Sequence, residues 1–422
     1  MRVVHVSRSD SSGGAARAAY RIHRALLAEG VDSSMRVLDR RSADPTVDGR
    51  QPVGNLTLSR RVQRHLARIQ LSRFKTGNPI LHSQAWPGSG LGDELNLGSA
   101  DIIHLHWLGY GTLSVEEIGR LKPPVVWTLH DMWAFCGAEH LSNDTPDSRF
   151  RAGYQQGNAP ADEQEWDLNR WVWRRKQKSW RNAMSIVCPS KWLASCARES
   201  NLMSAWPVTT IPNPIDFRRW FPVDRRLARQ FLGLHQDARY ALLGAEGGLA
   251  EPHKGADLAI EALNCLSGQG HSDLRLAVFG QSDGSGYSNL TVPTDFLGTV
   301  RDDIRLVMAY CAADVFVAPS RQDNLPNTAV EAHACGTPVV AFGIGGLADI
   351  VTHQETGWLA KPFDTEELAA GIQWVIEDDF RRAKLGENAR RVALERYSEQ
   401  VVARRYMDIY AAALRAKTAP IA

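Results

Sequence analysis

No apolar run reaches the roughly eighteen residues that a membrane-spanning helix needs, so no segment of this chain is expected to cross a bilayer. The opening MRVVHVSRSDSS carries only a strand-length apolar run and does not read as a secretion signal. The six cysteines are scattered without C-x-x-C spacing, which suits a reducing compartment and argues against a structural zinc site. Charge of one sign is also missing. Lys and Arg number 49 against 47 Asp and Glu, a net +2, so nothing in the overall charge points to nucleic acid. No D-x-D metal motif ends a strand, and Asp302–Asp303 and Asp378–Asp379 read as solvated pairs. What remains is a chain of 422 residues, enough for two domains with separate cores.

The most informative stretch runs from Ala318 to Val340, APSRQDNLPNTAVEAHACGTPVV. The apolar run ADVFVAPS ahead of the loop predicts a buried parallel strand, and the loop RQDNLPN leads into a helix at about Thr328. Gly336 stops that helix, and Pro338 leads into a second strand, VVAF, which completes a βαβ unit. Ligands of open parallel sheets sit where strands end and helices begin, and the free N–H groups there favour an anion. Asp323 lies in the loop and Glu331 inside the helix, so phosphate and sugar hydroxyls both find a complement. Many α/β enzymes share this loose pattern without binding either. The segment DNLPNTAVEAHACGTPVV is more specific. It resembles the donor-binding signature of the family-four retaining glycosyltransferases with the GT-B fold: two acidic residues eight positions apart, then E-A-x-A-x-G-x-P-V-V. Asp323 departs from the Glu more common at the first position and reaches one methylene less far.

Elsewhere the chain alternates strands and helices. Val3–Val6 predicts a first strand, Gly13–Gly14 a tight turn, and Ala15 to Ala28 a helix. A glycine pair at such a turn is either a plain turn or a place where backbone N–H groups approach a phosphate; it is not the G-x-G-x-x-G fingerprint. Met35–Leu38 predicts a second strand, and residues 39–55 read as loop. Leu58–Lys75 predicts a basic amphipathic helix, with Leu58, Val62, Leu66, Ile69 and Phe74 as its apolar stripe. It suits either an anionic bilayer or a packed helix with a solvated basic face. ADIIHLHWLG and VVWTLHDMW are strands ending in His106 and His130. Trp166, Trp171, Trp173 and Trp180 among Arg and Lys fit core packing or an acceptor or interface role. IPNPID near residue 212 reads as an interdomain connector, and Arg390–Ala416 as helical.

The resemblance implies an α/β protein of GT-B type: two Rossmann-like, doubly wound parallel-sheet domains facing across a cleft. Residues 1–205 would form the acceptor side, 206–395 the donor domain, and 396–422 a helix returning to the first domain. It implies retaining transfer from a UDP- or GDP-linked sugar to a glycan or lipid-linked acceptor, with no other cofactor and no metal. Catalytic roles fall on His130, Lys254 and Asp323. Donor contacts fall on Gly13, Gly14, Val300, Asn324, Leu325, Pro326, Asn327, Thr328 and Glu331. The family often has an Arg at the strand end where this chain has Gly244-Ala245-Glu246, which weakens the expected phosphate clamp. Cell-surface polysaccharide assembly in the cytoplasm, at the inner face of the membrane through residues 58–75, is the implied setting. Two rivals stand beside it, a sugar-nucleotide epimerase on the same fold and a non-catalytic nucleotide-sugar-binding relative.

Overall fold

The computed structural model describes residues 1–49, 58–163, 165–244, 252–268, 273–280, 289–300 and 302–418, with the side chains of 58–61, 64 and 418 left aside. The chain divides into two compact units, Met1–Ile211 with Val402–Ala422, and Pro212–Val401. The first unit extends through Ile211 because the strand Val208–Thr210 pairs with Ser185–Cys188 and so belongs to the first sheet.

The first sheet has the strands β1 (Arg2–Ser9), β2 (Asp32–Asp39), β3 (Val47–Asp48), β4 (Ile102–Leu105), β5 (Val125–Thr128), β6 (Ser185–Cys188) and β7 (Val208–Thr210). Their order is β3-β2-β1-β4-β5-β6-β7, and every pairing is parallel. Both faces of such a sheet are covered, which is why the central strands read as continuous apolar runs. One face packs Val6, Ile103, Leu105 and Trp127 into a large core. The other packs Val3, Ile102 and Val126 against Ile22 and Leu26 of the helix Gly14–Ala28 and against Val402, Tyr406 and Tyr410.

Along that second face the side chains change character. His5 follows Val3 on β1, His104 follows Ile102 on β4, and Thr128 follows Val126 on β5, since every second residue shares a face. The register sets His5 beside His104. These buried polar groups need partners, and the final helix Glu399–Thr418 supplies two. The Tyr410 hydroxyl lies 2.7 Å from Nδ1 of His104, and that of Tyr406 lies 2.9 Å from Oγ1 of Thr128. The C-terminal helical region is two helices, Asp379–Tyr397 and Glu399–Thr418, because Ser398 takes an extended conformation between them.

The tryptophan-rich helix Leu168–Ser179 serves mainly as core. Trp173 and Trp180 are buried, and Trp166 and Trp171 pack against the same cluster. The Lys176 ammonium is wholly buried, donates to the carbonyls of Trp133, Cys136 (3.1 Å) and Gly137 (2.7 Å), and lies over the Trp133 ring. Burial lowers this ammonium to about 7, and the three carbonyls fold the chain after β5 around it.

The second unit has β8 (Arg239–Gly244), β9 (Leu274–Phe279), β10 (Thr294–Gly298), β11 (Val315–Ala318), β12 (Val339–Phe342) and β13 (Gly357–Ala360), all parallel, in the order β10-β9-β8-β11-β12-β13. Asp314, buried just before β11, gathers Arg225 (3.2 Å), Arg229 (2.8 Å) and Arg382 (3.4 Å), and accepts from the backbone N–H of Tyr240 at 2.7 Å. Two helices and the start of β8 are thereby tied to the strand that leads into the loop of Asp323.

Tyr410 and His23 each make a measurable contribution to the stability of the first unit. Tyr410→Phe keeps the ring but leaves Nδ1 of His104 without its hydroxyl, and should cost about 1–3 kcal/mol in urea unfolding. An unchanged midpoint would show that the pair contributes nothing. The second concerns pH. His23, between Ser33 and Thr46, is lowered to about 4 by burial, an effect Asp44 opposes and Arg24 reinforces. The unfolded chain takes up a proton near pH 6.5 that the fold refuses, so this stability is complete above that pH and lost as pH falls. His23 alone should account for about 3 kcal/mol by pH 4. Urea midpoints at pH 7.5, 5 and 4 measure the loss, and a flat profile would contradict it.

Candidate functional site

The strand orders place a topological switch point between β1 and β4 in the first unit and between β8 and β11 in the second. Loops leaving such neighbouring strands open a crevice at the carboxyl edge of the sheet.

In the second unit β11 ends at Ala318, and its loop carries Asp323 before the helix Asn327–Ala334 begins. Lys254 ends a short turn, Pro252–Lys254, ahead of the helix Ala256–Gly268. The structure brings these two together, with Nζ of Lys254 2.5 Å from Oδ2 of Asp323. Two glycines make the approach feasible. Gly255 has φ +67°, and a Cβ there would lie 2.1 Å from the carbonyl oxygen of Pro319. Gly345 has φ +54°, and a Cβ there would lie 2.4 Å from the carbonyl oxygen of Asp323, which accepts from Gly346 N–H at 3.0 Å. Side chains at either position would push the loops apart.

Asn324, Leu325 and Pro326 are buried, while Asn327 and Thr328 are half-buried in the first helical turn. Asn327 accepts from the side-chain amide of Asn213 at 3.2 Å. Glu331 is 2% exposed, and one carboxylate oxygen accepts from the Tyr310 hydroxyl at 3.1 Å. Val300, beyond β10, packs half-buried on the core cluster that includes Leu325. Ala245 and Glu246, at the expected position of a strand-end Arg, lie outside the described residues.

In the first unit Gly13 has φ +83° at the start of the helix Gly14–Ala28, and a Cβ there would meet nothing within 4 Å. His130 follows β5. Its Nε2 lies 3.2 Å from Nδ1 of His106, the residue just beyond β4, and Nε2 of His106 lies 2.9 Å from Nδ1 of His5. Burial lowers His130 to about 4 against the opposing pull of Asp131, so it is neutral at pH 7. His106, Trp107, His130, Asp131 and His140 line a cavity of about 10 Å3, space on the order of one water molecule.

Asp131 carries more than its sequence neighbourhood indicates. Burial would raise its carboxyl, but His140, Trp133 N–H and Trp107 Nε1–H together hold it below the usual range. Its Oδ2 is 2.6 Å from Nδ1 of His140, whose Nε2 is 2.7 Å from Oγ of Ser83. The order hydroxyl, imidazole, carboxylate matches a nucleophilic triad. However, Ser83 is buried, donates its N–H to Ala138, and accepts from Trp133 Nε1–H. The group braces the chain after β5 against the segment around Ser83. Sequence reasoning passed over Ser83, His140 and the roles of His5 and His106. The alternation H-x-H in HLH was the one available signal, and it gains meaning only with the register of β1.

Both units of the chain are similar to known proteins. The family described as Glycosyltransferase Family 4 matches residues 12–219, and Glycosyl transferases group 1 matches residues 248–392. A D-inositol 3-phosphate glycosyltransferase of Saccharomonospora viridis is 30% identical over 364 residues, covering 82% of this chain and 76% of the relative. One of Catenulispora acidiphila, D-inositol 3-phosphate glycosyltransferase 2, is 32% identical over 69% of this chain and 66% of its own length, so the match spans just under two thirds of that relative. The crystal structure of Anabaena HepE in complex with UDP and glucose superposes with a TM-score of 0.64 at 18% identity, over 98% of this chain and 100% of that one. Such likeness establishes the fold, two Rossmann-like parallel-sheet domains of GT-B type. This chain belongs to the group 1 glycosyltransferases, with a family 4 N-terminal half.

Proposed function

We propose that the protein transfers a hexosyl group from a UDP- or GDP-linked sugar to an acceptor hydroxyl with retention at the anomeric carbon. The Lys254–Asp323 pair at the switch point of the second sheet carries this reading. An ammonium there meets a diphosphate as a point charge, and the N–H groups starting the helix Asn327–Ala334 add to the field. As the bond from the anomeric carbon to the phosphate oxygen breaks, charge builds on the diphosphate, and these preorganised groups stabilise it. The acceptor oxygen bonds to the anomeric carbon on the same face, and its proton passes to the departing phosphate oxygen. Asp323 holds Lys254 in place and offers its carboxylate to a sugar hydroxyl. In the first unit, His130 serves the sugar and the Gly13–Gly14 amides serve the phosphate. With Lys254 as the cation, the reaction needs no metal. Binding of UDP by HepE supports a uridine donor.

For the acceptor we favour a glycan or lipid-linked hydroxyl in cell-surface polysaccharide assembly at the cytoplasmic face of a membrane. The helix Leu58–Arg73 supports this, because Val62, Leu66 and Leu71 are exposed on a chain segment that also carries Arg68, Arg73 and Lys75. No helix among the described residues is long and apolar enough to cross a membrane. The names of the two inositol-phosphate relatives favour a second reading, a phosphorylated cyclitol acceptor.

Thermal shift against UDP, GDP, ADP and their sugar conjugates tests the donor. One nucleotide should raise the melting temperature by mass action. Lys254→Ala should weaken that nucleotide at least about tenfold, the loss of one charge-assisted contact. Equal binding by wild type and variant would remove Lys254 from the site. Product analysis with EDTA present, offering inositol 3-phosphate or a polyprenyl-linked glycan, decides both acceptor and metal dependence.

The membrane reading has its own test. Wild type should float with vesicles containing anionic lipid, and Val62→Ser/Leu66→Ser should not. Equal flotation, or none by wild type, would exclude this helix as a bilayer contact.

A further inference from the structure

We propose that Arg8 and Tyr110, at the carboxyl edge of the first sheet, form a subsite for an acceptor whose ring carries a phosphate or a diphosphate. The guanidinium takes the phosphate, and the phenol ring lies against the C–H face of the acceptor ring. That the bound molecule is the acceptor rests on the glycosyltransferase reading, whereas the affinity for such a molecule does not.

The pairing of β1 with β4 continues past the end of β4, where Arg8 N–H donates to the carbonyl of Trp107 at 2.9 Å. Val6 pairs with Leu105, so two residues further on Arg8 and Trp107 stand side by side on the face whose core holds Val6 and Leu105. The helix Gly14–Ala28 packs on the opposite face, and Arg8 leaves the sheet on the side away from it. Arg8 is half-buried and makes no ion pair and no side-chain hydrogen bond among the described residues. Arginines on and just after β2 are paired: Arg36 with Asp48 and Glu94, and Arg41 with Asp39. A guanidinium drawn out of water without a carboxylate is costly, and its planar fork matches two oxygens of a phosphate. The Asp131 carboxylate at Trp107 is taken up by Trp107, Trp133 and His140.

The loop after β4 supplies the aromatic surface. Tyr110 has φ +55°, in the left-handed region that bulky side chains enter only under strain. Such strain persists where the surroundings enforce it, and here they do. The Trp107 ring folds over Gly109, where a Cβ would lie 2.3 Å from Cη2 of the indole. The Gly109 carbonyl accepts from the buried Thr112 hydroxyl at 2.9 Å, and Gly111 continues the turn at φ +76°. The fold gains little in return, because Tyr110 is 65% exposed and meets Trp107 at 69°, ring centroids 5.5 Å apart. A ring presented in this way offers a large apolar surface with a polar tip to a pyranose or a cyclitol. Phe363 shares the backbone conformation, φ +67°, but follows the edge strand β13 and packs on Phe342.

Trp107 joins the two residues. Its carbonyl accepts from the backbone of Arg8, its ring supports Tyr110, and its indole N–H donates to Asp131 at 2.7 Å. The pair stands at the switch point between β1 and β4, where ligands of open parallel sheets bind. A neutral glycan would cover the tyrosine and leave Arg8 unpaired. A ring phosphate on a cyclitol, or the diphosphate joining a glycan to a lipid, sets an anion beside a polyhydroxyl ring and answers both groups.

Titration calorimetry of the full chain, with and without UDP, separates the two sources of phosphate. The probes are inositol 3-phosphate against myo-inositol, and a glycan on a short prenyl diphosphate against the same glycan with a free reducing end. Wild type should bind one phosphorylated probe at least about tenfold more tightly than its counterpart, the effect of one charge-assisted contact. Arg8→Gln should remove that preference and Arg8→Lys should keep part of it, with UDP affinity unchanged in both. Tyr110→Ala should weaken both members of the pair about fivefold and leave the preference intact, and Tyr110→Phe should bind as wild type does. Tyr110→Gly should bind as weakly as the alanine variant without lowering the urea midpoint, because glycine accepts the left-handed backbone. A wild type that prefers neither phosphorylated probe overturns the inference, whether or not the variants fold. So does a preference that survives in folded Arg8→Gln, or a loss of UDP affinity there, which would give Arg8 to the donor. A lower midpoint in Tyr110→Gly with binding unchanged would make the ring structural and overturn its part. Phosphate-dependent binding without transfer to either probe would overturn the transferase reading and leave the subsite standing. Transfer to an unphosphorylated acceptor, with kcat/KM unmoved by Arg8→Gln, would do the reverse.

Discussion

A buried imidazole must have a partner for each nitrogen or lose stability, and the organisation of the first unit follows from that requirement. Halfway along three adjacent strands the sheet face turns from aliphatic to polar, at His5, His104 and Thr128. A helix covering that face cannot be apolar throughout. The last helix of the chain brings two phenols, and their hydroxyls meet His104 and Thr128. The return of the chain to the first unit at Val402 is thus tied to the polar row by hydrogen bonds as well as by the apolar contacts of Val402 and Ala403. The same row ends at the carboxyl edge of the sheet in His130, whose Nε2 lies 3.2 Å from Nδ1 of His106.

The second unit meets its constraint by close backbone approach. Lys254 and Asp323 are an ammonium and a carboxylate from segments that follow different strands, and an ion pair at 2.5 Å tolerates little displacement. Backbone against backbone at Gly255 and Gly345 brings the loops close enough, and no side chain could replace either hydrogen there without moving a carbonyl. The buried carboxylates of Asp314 and Glu331 are held by arginines and by a tyrosine. A pair that is 30% and 13% exposed is partly screened by solvent, so its value lies in placement more than in stability.

What was legible in the sequence follows the range of the interactions. The strand, loop and helix around Asp323 are local, and their pattern announced the fold class. Val3–Val6 and Met35–Leu38 were visible as strands but short of their observed ends, since Arg2, Ser9, Asp32 and Asp39 are polar residues in register with neighbours that only the sheet reveals. The histidine line was not legible. His5 and His106 are 101 residues apart, and only the H-x-H alternation of HLH hints at a polar row. The tryptophan-rich segment left core and interface open because periodicity does not say which face is covered; the buried Lys176 and its three carbonyls decide for the core.

The two halves thus place their chemistry on unlike supports. Lys254 is a partly exposed charge on a short turn, restrained by the Asp323 carboxylate, and the proposed function has it meet a diphosphate from there. His130 stacks at the end of a row of buried rings, with Nε2 3.2 Å from Nδ1 of His106, so its position is braced by residues of the sheet. In the proposed reaction a group that neutralises a leaving anion must already be in place when the charge appears. A group that orients one hydroxyl gains from rigidity, because a misdirected donor is worth little. Placing the cation on a loop and the imidazole against the sheet meets both needs within one parallel α/β design used twice.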